Sequence, residues 1–79
     1  MSYLSAPAYQ FLAVTPSDTV NLQGTTRGLY IGSDGNVVCI NESGNAVTFV
    51  GLIAGTILPV QTTRVNATNT TSTNIVALF

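Results

Sequence analysis

Residues 29–50 read Leu29-Tyr30-Ile31-Gly32-Ser33-Asp34-Gly35-Asn36-Val37-Val38-Cys39-Ile40-Asn41-Glu42-Ser43-Gly44-Asn45-Ala46-Val47-Thr48-Phe49-Val50. Short apolar runs in this stretch are separated by clusters of Gly, Ser, Asp and Asn, which is the pattern of strands joined by turns. Asp34-Gly35 is a strong turn signal, and Gly44 can adopt a positive φ. Connections this short favour antiparallel neighbours. We therefore expect a β-meander of residues 29–31, 36–40 and 46–50.

The C-terminal half continues the β pattern. After Gly51 a crossover leads into a long extended stretch, residues 56–65, in which Pro59 marks an edge or a bend. A polar Asn/Thr loop at 66–73 precedes a last strand at 74–79, with Ile75, Ala77 and Phe79 on one face and Val76 and Leu78 on the other. Both faces of this strand are apolar, so we expect other parts of the protein, or a neighbouring subunit, to bury each face. The fold class is all-β, a small antiparallel β-sandwich or barrel made of a meander plus a crossover.

The first 19 residues differ from the rest. Prolines favour extended backbone in the residues before them, and this segment contains two of the three prolines, Pro7 and Pro16. We predict an extended N-terminal arm at residues 1–19 and one β domain at residues 20–79, with strands beginning only after Asp18. The arm is rich in large apolar side chains typical of interfaces, so we predict that it docks through Tyr3, Leu4, Tyr9, Phe11 and Leu12.

Charged residues make up only 6% of the 79 residues, where about 25% is usual. Two scattered arginines cannot form the basic footprint that nucleic acids require. A chain with no His and one Cys offers no metal site and no His-based triad. We expect no enzyme activity, no cofactor, no metal and no nucleic-acid partner. The lone Cys39 is interpreted as a small buried hydrophobe.

With a net charge of −1, electrostatic repulsion between molecules is weak, so the surface offers little resistance to association. The apolar area that so small a core buries barely offsets the conformational entropy lost on folding. We therefore predict a homo-oligomer. We expect the guanidinium groups of Arg27 and Arg64 each to donate hydrogen bonds to a specific acceptor, either a carboxylate or a backbone carbonyl. The sequence leaves open whether that acceptor lies in the same subunit or in a neighbouring one.

One alternative comes from a different class, a small hydrophobic membrane peptide built on residues 46–60. This stretch is uncharged, but it falls short of the roughly 20 residues that span a bilayer. Strands with a tight crossover are the better interpretation, so we expect no membrane partner. Residues 1–13 also lack the basic start of a secretory signal.

Several pieces of the sequence occur in an order that resembles a known family. They are Thr15–Thr19, Arg27–Gly32 with Gly35-Asn36-Val37, Gly44 with Val47-Thr48-Phe49, Ala54-Gly55 with Leu58-Pro59-Val60, Arg64-Val65 with Ala67-Thr68 and Thr70-Thr71, and Ile75–Phe79. Together they resemble the small head-spike base proteins of gene transfer agents (GTAs) and tailed phages. The resemblance covers residues 15–79, with Asn69 standing where the family pattern has glycine.

This resemblance implies a non-enzymatic virion structural protein, made in the host cytoplasm and placed on the capsid surface. It implies the major capsid protein, a fibre protein or both as partners, with the chain decorating the capsid or forming the base of a head spike or fibre. A tail or baseplate component is the alternative. The symmetry of a capsid implies that the predicted homo-oligomer is a trimer or a pentamer. The resemblance also makes Arg27, Tyr30 and Arg64 structural positions, and we expect Asp18 to be structural as well.

Overall fold

The computed structural model describes residues 8–79, and every regular element in this part of the chain is a strand. The predicted docking residues Tyr3 and Leu4 lie outside the described residues. The strands are β1 (Phe11–Ala13), β2 (Gly28–Tyr30), β3 (Gly35–Ile40), β4 (Ala46–Leu52), β5 (Ile57–Leu58), β6 (Arg64–Val65) and β7 (Val76–Leu78). The predicted all-β class is confirmed.

The strands form two sheets in which all neighbours are antiparallel. The first sheet has four strands in the order β1-β7-β2-β5, and the second has three in the order β4-β3-β6. Both sheets contribute to one buried cluster, which contains Leu29, Ile31, Val37, Cys39, Val65, Ile75 and Ala77. Burial of this shared apolar surface is the main force that holds the sheets together.

The predicted hairpin of residues 36–40 and 46–50 is confirmed as β3 and β4. Its turn is closed by the Asn41 amide, which donates to the Asn45 carbonyl oxygen at 3.0 Å, and by the Asn45 amide, which donates to Asn41 Oδ1 at 3.0 Å. Gly44 has a φ of 85°, as the turn prediction required. Both faces of Val37–Ile40 are buried.

The prediction that residues 29–31 pair with residues 36–40 is wrong. β2 pairs with β7 and β5, whereas β3 belongs to the other sheet. Just after β2, the Ile31 amide donates to the Thr56 carbonyl oxygen at 2.9 Å, and its carbonyl accepts the Gly55 amide at 2.7 Å. The short Gly-rich connection is thus a corner between sheets and not a hairpin turn.

The extended stretch expected at residues 56–65 is divided, because β5 ends at Leu58, just before the predicted edge or bend at Pro59, and β6 lies in the other sheet. Thr62, at the crossing, is 1% exposed. Its amide donates to Thr26 Oγ1 at 3.1 Å, and its hydroxyl donates to the Ile40 carbonyl oxygen at 2.7 Å. Backbone polar groups that are buried where the chain leaves a β-sheet need hydrogen-bond partners, and the hydroxyl groups of Thr26 and Thr62 supply them.

The apolar stretch 46–60 contains β4 and β5, so the membrane-helix alternative is wrong. Across residues 8–79 there is no helix with the length and apolar character to cross a membrane.

The expectation that strands begin only after Asp18 is wrong too. β1 pairs with β7 through Phe11–Leu78, Leu12–Ala77 and Ala13–Val76. Its three residues carry no local strand pattern, and they become a strand because β7 offers a free edge. The division into an arm at 1–19 and a domain at 20–79 remains a prediction.

Candidate functional site

The side of the first sheet that faces away from the core is apolar. Register places Phe11, Leu78 and Gly28 in one row across β1, β7 and β2. A second row of the same face crosses all four strands and contains Ala13, Val76, Tyr30 and Ile57. We call these seven residues the outer face.

The outer face is uncharged and, apart from the buried Gly28, accessible. Phe11 is 66% exposed and Tyr30 is 40% exposed. Val76, Leu78 and Ile57 are half-buried. Scattered exposed apolar side chains are ordinary, but a contiguous patch on a sheet is typical of an interaction surface.

The structure separates the predicted docking residues. Phe11 lies on the outer face, and Tyr9, 80% exposed, precedes it. Leu12 lies in the row of Ala77, Leu29 and Leu58, which faces the core. Tyr30, predicted as structural, shares the outer face with Phe11. Sequence reasoning missed Ala13 and Ile57, since only the strand register shows which face they occupy.

Two of the other predicted structural residues, Asp18 and Arg64, contact the polar loop at 66–73. The Asp18 carboxylate accepts the Thr68 hydroxyl at 2.6 Å and the amides of Ala67 and Thr68, each at 3.0 Å. Arg64 Nε donates to Asn66 Oδ1 at 2.9 Å, and Arg64 Nη1 donates to Asn21 Oδ1 at 3.5 Å. The partners of Arg64 are therefore side-chain amides within the chain, not the carboxylate or backbone carbonyl expected.

Arg27 differs from Arg64. It is exposed and lines a shallow surface depression with Tyr9, Gln10 and Phe79. Its backbone amide donates to the Leu78 carbonyl oxygen at 2.7 Å, which joins the start of β2 to β7.

The Asp18 contacts predict a specific pH dependence. Hydrogen bonds from the Thr68 hydroxyl and amide, and from the Ala67 amide with Arg64 nearby, lower the pKa of Asp18 below its ordinary value. A lowered native pKa stabilises the fold above the unfolded-state pKa, and this stabilisation is lost as pH falls through the native pKa. We expect Asp18→Asn to lower the Tm at neutral pH and to match the wild type in strong acid, measured by thermal unfolding followed by circular dichroism. A Tm difference that stays constant with pH would contradict this assignment.

The remaining reactive groups serve structural roles. Burial raises the pKa of the Cys39 thiol to about 11, and Cys39 is 5% exposed, as the sequence predicted for a buried hydrophobe. Asp34 Oδ1 accepts the Ala54 amide at 2.8 Å, and Glu42 Oε2 accepts the Thr25 hydroxyl at 2.8 Å. Residues 8–79 bring together no group of three His, Cys, Asp or Glu side chains.

Comparison with known proteins finds a similar chain among solved structures. No protein-family model matches the chain, and no curated protein matches it. Among solved structures, it is similar to a chain in the capsid of a native GTA particle, a structure computed with C5 symmetry. The two chains share 38% sequence identity with a TM-score of 0.86, over 100% of this chain and 90% of that chain.

Proposed function

The protein belongs to the same family as the related chain of the GTA capsid, and from that premise we propose that it is a non-enzymatic structural protein of a phage-type virion. In its finer form, the proposal places the protein on the capsid surface, as a decoration or as the base of a head spike or fibre. It is made in the host cytoplasm, and its partners are the major capsid protein and, for a spike base, a fibre protein.

The outer face is the observation that carries this proposal. An uncharged apolar sheet surface centred on Phe11 and Tyr30 matches the composition of an interface core, where aromatic residues are enriched and charges are depleted. We assign the outer face to the major capsid protein, because the related chain belongs to a capsid.

We further propose that the protein is a homo-oligomer, with five copies favoured over three. The related capsid structure was computed with C5 symmetry, and a five-fold axis suits a ring of five. A net charge of −1 opposes self-association only weakly.

The test is incorporation of a Phe11→Asp variant into particles formed with the cognate major capsid protein. A carboxylate on the outer face would be desolvated without a partner on binding. We expect the amount of variant per particle to fall at least about tenfold, equivalent to about 1.4 kcal/mol of binding free energy. Incorporation is measured by quantitative gel analysis of purified particles.

Val20→Asp is the matched control, because Val20 is 67% exposed and lies outside the outer face. It should be incorporated like the wild type, and both variants should keep a β-type circular dichroism spectrum. Equal incorporation of the two variants would show that the outer face is not the docking surface.

A further inference from the structure

Arg27 is the charged side chain for which residues 8–79 supply no partner. The chain contains two arginines and three acidic residues. The charged side chains other than Arg27 each make a hydrogen bond within the described part of the chain, and they are Asp18, Asp34, Glu42 and Arg64. The exposed Arg27 side chain makes none there. Its guanidinium therefore has N–H donors to offer to a group outside this part of the fold.

The carboxylates of the chain are committed to other contacts. Residues 1–7 contain no Asp or Glu, so every acidic side chain lies among the described residues. Asp18 and Asp34 accept backbone amides, and Glu42 accepts a threonine hydroxyl at 2.8 Å. None of these three carboxylates pairs with Arg27 across residues 8–79. A carboxylate that binds Arg27 therefore has to come from another molecule.

The surroundings of Arg27 have the composition of a contact site for protein. Arg27 lines a depression of about 390 Å³ together with Tyr9, Gln10, Gln23, Thr25 and Phe79. Tyr9 is 80% exposed, and tyrosine and arginine are enriched among the residues that dominate binding energy at interfaces. A single guanidinium matches one carboxylate in charge and in its two-donor geometry, whereas nucleic acid requires several cations.

The depression continues the outer face. The row of the outer face that contains Phe11 is the last one at this end of the first sheet, and the next residue on each of its three strands, Gln10, Phe79 and Arg27, lines the depression. The Phe79 amide donates to the Gln10 carbonyl oxygen at 2.8 Å, and the Arg27 amide donates to the Leu78 carbonyl oxygen at 2.7 Å. An apolar centre with a polar rim is the usual anatomy of an interface.

We propose that this depression binds a carboxylate side chain of the major capsid protein, with Arg27 donating to both carboxylate oxygens and Tyr9 packing beside it. This inference rests on the proposed docking of the outer face and adds the charged contact at its edge. The capsid protein is favoured over a second copy of this chain for two reasons. The depression adjoins the outer face, and a second copy offers only carboxylates that already hold partners in their own fold.

The direct test is an Arg27→Lys variant, because the chain contains no lysine of its own. A carbodiimide activates the partner's carboxylate, and the introduced amine then forms an amide with it and releases the urea. We expect a covalent conjugate with the major capsid protein in purified particles, located by peptide mass spectrometry. The wild-type chain gives the background from its terminal amine. Val50→Lys is the matched control and should stay at background, since Val50 is 74% exposed but belongs to β4 of the second sheet.

Removal of the charge supplies the second measurement. Arg27→Gln and Val20→Asp each make the net charge of −1 one unit more negative, so their comparison separates a local contact from the overall charge. Incorporation into particles is measured at about 0.1 M and about 1 M NaCl, where the Debye length is about 10 and 3 Å. At the lower salt we expect Arg27→Gln to be incorporated at least about threefold less than Val20→Asp. The difference should shrink at the higher salt.

Three results would count against the inference. A wild-type chain that does not join particles would overturn the proposed function and the carboxylate contact together. Normal incorporation of the wild type, with no conjugate from Arg27→Lys and with Arg27→Gln equal to Val20→Asp, would overturn only the carboxylate contact. A conjugate between two copies of this chain, in place of one with the capsid protein, would assign Arg27 to the oligomer interface and overturn the choice of partner.

Discussion

Gly32→Ala is expected to destabilise the protein by about 3 kcal/mol or more, against a total stability of about 4–12 kcal/mol for a chain of this size. A Cβ at residue 32 would lie 2.3 Å from the Asn74 carbonyl oxygen, 2.4 Å from Asn74 Cβ and 2.7 Å from the Thr73 carbonyl oxygen. Two of these atoms belong to the backbone, so relief requires moving the segment that leads into β7. Urea unfolding followed by circular dichroism measures the loss.

Gly44→Ala separates this clash from ordinary backbone strain. Gly44 has a φ of +85°, yet a Cβ there would meet no atom within 4 Å. Its replacement should cost only the strain of a left-handed Ala, about 1–2 kcal/mol. Equal losses for the two variants would show that residues 73–74 do not pass close to Gly32.

Thr26→Val should cost about 2–6 kcal/mol, although the two side chains have nearly the same shape. Thr26 is 1% exposed. Its hydroxyl donates to the Val60 carbonyl oxygen at 2.8 Å and accepts the Thr62 amide at 3.1 Å. Valine would leave a donor and an acceptor unpaired, and each unpaired buried group costs about 1–3 kcal/mol.

Thr48→Val provides the comparison, because Thr48 is an exposed strand residue. Valine suits a strand at least as well as threonine, so its free energy of unfolding should change by less than about 0.5 kcal/mol. If Thr26→Val were equally harmless, water or another group would have to satisfy the Thr62 amide, and the join between the sheets would not depend on Thr26.

The β3–β4 hairpin was predictable because its information is local. Two apolar runs flank a five-residue turn that contains Gly44, and no distant residue is needed to decide the pairing. The corner at Gly32–Gly35 was not predictable in the same way. Asp34-Gly35 suits a hairpin, but the close approach of Asn74 to Gly32 and the pairing of Ile31 with Thr56 direct the chain to the other sheet. Those contacts join residues far apart in sequence.

The candidate site shows the same limit. Tyr9 and Phe11 were identified from composition, and their exposure fits a surface role. The outer face, however, exists only because Phe11, Leu78 and Gly28 share a row. Such adjacency depends on β7 lying between β1 and β2, and a strand order of this kind has no signature in a single sequence.

One loop position links the family pattern to backbone geometry. Asn69 has a φ of 70°, a conformation that glycine adopts freely and that asparagine tolerates better than most residues. Asn69 can therefore hold the turn for which the resemblance leads us to expect glycine. Thr70 and Thr71, just after it, accept the amides of Val38 and Asn36 through their hydroxyls at 3.0 and 2.8 Å.

The position of β7 also sets the timing of folding during synthesis. β1 and β2 do not pair with each other, and both pair with β7, so the first sheet cannot assemble until residues 76–78 have left the ribosome. The β3–β4 hairpin can form well before that. Until β7 arrives, the apolar rows of β1 and β2 have no strand between them, and a nascent chain in this state is open to aggregation. Folding of the first sheet therefore has to bring residues 11–13 and 76–78, which lie far apart in sequence, into contact before the sheet is complete.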